Sequence, residues 1–503
     1  MSTDFRYIEA LKKASKPLSE NFTQGLKYSG EHPLDEDIIE LLEDLKIVEN
    51  SDEYQIFKVE EKIVNIWNKL LKKSIICLRY FDTREPFINS EDKKKPLAYG
   101  VNELSSYFSQ YTEFETTLYG SVDHYRDHVI HVFRVWLIGI NKLLEGNNDY
   151  LNNIEIKSDS NFKINNFEKI SMWSIIALTH DLGYPLEKSS QIIEKTKNMM
   201  KAFVSNPSIL MDFSFSGVQN SMNDFILRFI SSKMREVKVI NNVNDENNKQ
   251  YVVRLQPKYY FKFQKSLEHN EHGILSILII YKLLLYFLES DYSLNEDYRF
   301  IYEEARQFYI RRDILRAIAS HTCKDIYQNN ATSFSLLLIV CDEAQEWGRK
   351  NISQLYRNGD VEYSLKSLTI KKTPENTYEI EIEDEYTKIN ELYIIQLLKR
   401  FYNQCVLYRN LFRDGQDTSS RDFIFTRKMH LNIGINTNIK DFPLTLEIKK
   451  NEQTKIIIDC SNENNENDEN IIKNFFKDNT EKIDPKYKLS YNKDQKQMII
   501  TIL

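Results

Sequence analysis

Residues 170–186 read ISMWSIIALTHDLGYPL, and their pattern decides how the chain folds. Apolar residues fill the stretch up to Leu178 too densely for a surface helix, which predicts a buried one. Gly183 and Pro185 predict its end just past His180-Asp181. An adjacent His and Asp at the end of a buried helix can reach one metal ion together. The imidazole supplies a neutral nitrogen; the carboxylate supplies charge and can bridge two ions. The same dipeptide also suits a plainer role, with His against the helix dipole and Asp as a cap.

Other histidines surround this stretch. Of nine in the chain, seven lie between His124 and His321. Upstream, His124, His128 and His131 are spaced by four and three, which on one helix puts all three on one side. Val132, Phe133, Trp136, Ile140 and Leu143 form a neighbouring apolar stripe. The pattern fits the wall of a polar pocket, and equally a surface helix that happens to carry histidines. Downstream, EHNEHGILSIL places His269 and His272 before a very apolar helix. AIASHTCKD places His321 at the end of an amphipathic one. In SFSLLLIVCDEAQEWGRK, Asp342 follows an apolar run. A carboxylate there is costly to bury unless it ligates a metal, caps a helix or pairs, for instance with Arg349.

The fold class is mainly α, with a smaller α/β region appended at the C-terminus. Residues 1–96 show helical spacing, as in KIVNIWNKLLKKSIICL, and end at the joint EDKKKP. Residues 97–351 are dominated by helix-like segments, interrupted by the polar loops GNNDYLNNIEIKSDSN and NNVNDENNKQ. In 352–503 the period changes. SLKSLTIKK and TYEIEIED alternate like paired strands around the turn KTPEN. A helix is expected over YTKINELYIIQLLKRFYNQCVLYRNLF, then strands at MHLNIGINT, LTLEIKK and TKIIIDC, a short helix at IIKNFFK and a closing hairpin.

With 41% hydrophobic and 28% charged residues, the chain has the composition of a globular protein. A net charge of -7 gives no global sign of a strong polyanion binder, so a small anionic substrate needs local positive charge or a metal. Five scattered cysteines without a CxxC pair make no disulfide framework and fit a reducing cytoplasm. The N-terminus has no apolar signal region. The longest apolar stretch, Gly273 to Leu288, is broken by Tyr281 and Lys282 and is short for a membrane span. No membrane partner is expected.

Taken in order, His131, His180-Asp181, His272, His321 and Asp342 resemble the HD superfamily of metal-dependent phosphohydrolases. The contexts HVFRVW, ALTHDLGYP, EHGILS and LLLIVCDEAQEWGR agree, and the resemblance spans roughly residues 97–350. It implies His131, His180, Asp181 and Asp342 as the metal-binding set. It gives His272 and His321, with Asp181, catalytic roles through a second metal or contact with phosphate. His128 and His269 are nearby and are assigned supporting roles. The cofactor implied is one or two divalent ions (Mn, Fe, Mg, Co or Ni), bridged by Asp181 if two are bound. Such an ion lowers the pKa of a water and polarises a phosphoryl oxygen. Arg134, Lys188, Lys324 and His128 are candidates for holding substrate phosphate.

The resemblance implies a nucleotide substrate, and a dNTP triphosphohydrolase ranks first. Some bacterial enzymes of that kind serve in phage defence by depleting nucleotides. Such relatives keep a further histidine after HD in a Gly-His-Pro-Phe-type segment, where this chain has Tyr184, so its role would pass to His128 or His321. A cyclic nucleotide or cyclic dinucleotide phosphodiesterase is the alternative. A non-catalytic nucleotide sensor is a second alternative, opposed by the intact ligand set. Relatives also imply a homo-oligomer and a nucleotide effector. The C-terminal strands carry both charge signs and a lone His430, which does not suggest a nucleic-acid partner; a regulatory or assembly role is expected there.

Overall fold

The computed structural model describes residues 3–25, 33–49, 56–83, 101–121, 127–146, 149–154, 162–201, 218–237, 250–285, 297–323, 325–326, 332–349, 362–372, 378–389, 423–435, 438–448, 455–459, 487–492, 495 and 497–502. The chain divides into two compact units. The first is Met1–Ile326 with Thr332–Asp342, and the second is Tyr327–Ala331 with Glu343–Leu503. The described residues are mainly helical, with a sheet towards the C-terminus.

The first unit begins with α1 (Thr3–Gly25), α2 (Glu36–Glu49), α3 (Ile56–Thr83) and α4 (Val101–Ser121). It continues with α5 (Val129–Leu144), α6 (Asp149–Asn153), α7 (Asn166–Thr179), α8 (Tyr184–Met200) and α9 (Val218–Ile230). After a hairpin of β1 (Ser232–Val237) and β2 (Gln250–Leu255) come α10 (Pro257–Glu268), α11 (His272–Leu285), α12 (Tyr302–Thr322) and α13 (Phe334–Ala344). The hairpin adds two strands to a region that the sequence reads as dominated by helices. Met234 is buried between half-buried Lys233 and exposed Arg235 in β1 and faces Val253 across the antiparallel pair, but six residues are too few to stand out among helical patterns.

At the centre is α7. Its start is fixed by a capping box: the Asn165 side chain accepts the N–H of Glu168, and the Glu168 carboxylate accepts the N–H of Asn165. Every residue from Ile170 to Leu178 is buried, so α7 needs helices on all sides. One is α5: the Trp136 indole donates to Ser174 Oγ at 3.0 Å and the Trp173 indole to the Trp136 carbonyl at 3.1 Å. Another is α3, whose Trp67 donates to the Leu178 carbonyl at 2.7 Å and stacks on Phe108 of α4. Helices on both sides of Pro96 therefore share one core, and the expected boundary at 96 separates no packing unit. The second unit likewise starts before 352, at Glu343 in the last turn of α13.

The second unit carries β3 (Glu362–Lys372), β4 (Tyr378–Ile389), β5 (Phe423–Ile435), β6 (Asn438–Ile448), β7 (Lys455–Asp459), β8 (Tyr487–Asn492) and β9 (Gln497–Ile502). They form one sheet in the order β3-β4-β5-β6-β7-β9-β8. The expected β3/β4 pair is antiparallel, as is the closing β8/β9 pair. The β4/β5 pair is parallel. The helix expected from Tyr386 is corrected at its start, since Tyr386 to Ile389 continue β4. The rest of that helix and the one at IIKNFFK lie outside the described residues, as do Cys405 and Cys460. Cys77, Cys323 and Cys341 are buried free thiols. No described helix is long and apolar enough to cross a membrane.

Candidate metal centre

Six side chains from five helices of the first unit converge. His131 comes from the first turn of α5, His180-Asp181 from the end of α7, His272 from the first residue of α11, His321 from the last turn of α12 and Asp342 from the last turn of α13. His180 is the C-cap of α7. Pro185 sits in the first turn of α8, where its missing N–H costs nothing and prevents α7 from running on.

The turn between α7 and α8 is pressed against α11. Ser276 Oγ donates to the His180 carbonyl at 2.6 Å and accepts the Gly183 N–H at 2.8 Å. A Cβ on Gly183 would lie 2.3 Å from the His272 carbonyl oxygen and 2.7 Å from the Ser276 nitrogen. Both are backbone atoms that cannot swing aside. Gly273 has the same role on α12, where a Cβ would lie 2.8 Å from the Ile318 carbonyl oxygen and 3.2 Å from the His321 ring. Gly183→Ala should therefore push α11 away, lowering stability by about 1–3 kcal/mol. It should weaken ion binding more than a distant surface Gly→Ala of equal stability cost. Denaturant unfolding and ion titration of both variants check this; equal ion affinity would remove the close-packing argument.

Asp181 is the hub. Its carboxylate oxygens lie 3.7 Å from His131 Nε2, 3.5 Å from His180 Nε2, 3.3 Å from His272 Nε2 and 3.6 Å from His321 Nε2. Asp342 Oδ1 lies 2.9 Å from His131 Nε2 and 4.0 Å from His180 Nε2. Ligand atoms each about 2.1 Å from one ion stand about 3–3.5 Å apart, so this spacing suits coordination. Three overlapping triads could hold an ion: His131/His180/Asp181, His180/His321/Asp342 and Asp181/His272/His321.

The histidine orientations fit the same role. His180 Nδ1 lies 2.8 Å from the Ala177 carbonyl and His321 Nδ1 lies 2.5 Å from the Ile318 carbonyl. A carbonyl only accepts, so each Nδ1 carries a proton and each ring turns its Nε2 to the centre. His180 Nε2 is fully buried and has no hydrogen-bond partner. Burial pushes the His180 pKa down to about 4, against the pull of Asp181, so the ring is neutral at pH 7. A buried neutral nitrogen without a donor, facing two carboxylates, suits a cation.

His272 is oriented differently. Glu187 of α8 accepts both its Nδ1–H, at 2.6 Å, and its backbone N–H, at 2.9 Å. Burial opposes the His272 cation, but the hydrogen bonds to Asp181 and Glu187 prevail and raise its pKa to about 10. Its Nε2 lies 3.2 Å from His321 Nε2. Burial also works against the carboxylates, yet the surrounding histidines hold Asp181 and Asp342 well below the usual range. The site is most open at Asp342 and His272, whose side chains are 29% and 20% exposed.

The other candidates fall as follows. His128 is not on α5 but is its N-cap, so the three-histidine stripe is corrected. Asp127 accepts the Ile130 N–H and buried Glu115 accepts the His128 N–H, and these bonds fix where the helix starts. The His128 ring stacks on Tyr184 at 3.8 Å. His124 and Lys324 lie outside the described residues. His269 is exposed at the C-cap of α10, with Nδ1 bonded to the Lys265 carbonyl. Arg134 is tied in a bidentate pair to Asp4 of α1, which accounts for its charge without a phosphate. Lys188 stays beside the site, 2.6 Å from Glu187 and over the Tyr184 ring at 4.6 Å. Sequence reading missed Glu187 and Ser276; a Glu in a first helical turn is too common a feature to single out.

No protein-family model, curated protein or solved structure matches the chain.

Proposed function

We propose that the chain is a metal-dependent phosphohydrolase of the HD superfamily acting on nucleotides. The observation that carries this reading is the Asp181 carboxylate set among four imidazole nitrogens at 3.3–3.7 Å. His131, His180, Asp181 and Asp342 would hold one divalent ion, and Asp181, His272 and His321 a second. A bound ion supplies Lewis acidity for a phosphoryl oxygen and a lower pKa for a water.

The protein's own contribution is orientation. Backbone carbonyls and Glu187 fix three rings, and Asp342 and His272 are the most exposed of the six side chains. Lys188 and Tyr184 lie beside His272, where they would bear on a phosphate. The leading substrate class is a deoxynucleoside triphosphate. The second is a cyclic nucleotide or dinucleotide, favoured by the complete Asp181/His272/His321 triad and by Tyr184 standing where the first class carries a histidine.

Incubating the full chain with Mn or Co and a panel of dNTPs, cyclic nucleotides and cyclic dinucleotides tests both. Release of intact triphosphate is the expected product. Linear monophosphates would establish the second class, and no turnover with any substrate and ion would leave the sensor reading.

A further inference from the structure

We infer that Glu187 is a positioning residue that sets His272 for a second ion, so that it decides whether the centre holds one ion or two. This rests on the ion-binding reading above. The two halves of the centre are built differently. His180 and His321 are fixed by carbonyls of their own helices, three residues back. These contacts exist whenever the helices exist. His272 is the first residue of its helix and has no such preceding turn. Its orientation depends on a side chain 85 residues earlier, on α8.

One oxygen, Glu187 Oε2, takes both the backbone N–H and the Nδ1–H of His272. The other, Oε1, takes the Lys188 ammonium at 2.6 Å. Both carboxylate oxygens are thus committed. With Nδ1 occupied, Nε2 is the only ring nitrogen left, and it points at Asp181 Oδ1 and His321 Nε2. A carboxylate behind a ligating imidazole fixes its tautomer and raises its basicity, and losing it costs about 10–100-fold in ion affinity. Lys188 in turn lies over Tyr184, whose ring is 5.3 Å from that of His272, so this chain of contacts closes on His272.

The test is Mn2+ binding to the full-length chain, by calorimetry and by metal content after desalting. Wild type should bind two ions and Glu187→Ala one. Glu187→Gln keeps a carbonyl oxygen for the two His272 donors but loses the charge, so it should bind two ions with the weaker site roughly tenfold weaker. Adding Glu187→Ala to His272→Ala should change nothing further, because Glu187 acts through that ring. Thermal unfolding without ion checks that all variants fold. Two ions in Glu187→Ala, or only one in wild type, would overturn the inference and leave the phosphohydrolase reading standing. No ion in wild type would remove both.

Discussion

Asp181→Asn should lose ion binding at both halves of the centre and cut hydrolysis by about a thousandfold or more. The substitution keeps the size of the side chain and one carbonyl oxygen, so packing is undisturbed. It removes the charge that faces four imidazoles and the second oxygen needed to bridge. Lewis-acid stabilisation is worth several kcal/mol, and each 1.36 kcal/mol is tenfold in rate. A stability readout separates ion loss from misfolding. At a hundredfold excess over its dissociation constant an ion stabilises wild type by about 2.7 kcal/mol. Mn should therefore raise the melting temperature of wild type and not of Asp181→Asn, while both unfold cooperatively without ion. His180→Ala should remove the four-ligand half and spare the Asp181/His272/His321 half. If Asp181→Asn keeps full ion stoichiometry, the hub assignment is wrong.

The residues of this hub were readable because each lies at the edge of a dense apolar run. His180-Asp181 after Leu178, Asp342 after Cys341 and His272 before Ile274 are polar groups that the pattern itself marks as misplaced unless they have partners. Helical spacing supplied the elements that carry them. What spacing could not supply was contact between residues remote in sequence. Arg134 looked free to bind phosphate because Asp4 lies 130 residues earlier. His128 looked like part of a helical stripe because the capping carboxylates of Asp127 and Glu115 decide the helix start, and no periodicity records them. The same blindness hid the parallel β4/β5 pairing. Alternation predicts that a segment is a strand and which residues share a face, but not its neighbour or direction.

That pairing creates a buried group whose removal has the other large consequence. In the sheet, Met429 of β5 and Leu365 of β4's other neighbour, β3, lie opposite Asp384. Arg427 and Tyr363 stand two residues away from those partners, on the Asp384 face. All three side chains meet: Arg427 Nε donates to Asp384 Oδ2 at 2.6 Å, and the Tyr363 hydroxyl lies 2.6 Å from Asp384 Oδ1. Asp384 and Arg427 are 0% and 1% exposed, and burial together with the Asp384 charge keeps the Tyr363 hydroxyl protonated. Arg427→Met leaves that carboxylate buried without its cation, a loss of about 3–5 kcal/mol. The double variant Arg427→Met/Asp384→Leu removes both charges and leaves Tyr363 its second acceptor, the Ala344 carbonyl at 3.0 Å. It should recover to within about 1–2 kcal/mol of wild type, since apolar side chains of similar volume replace buried pairs at little cost. Denaturant unfolding of the full chain, read on the transition of the sheet unit, measures both. A double variant as unstable as the single one would show that shape, not the isolated charge, sets the cost.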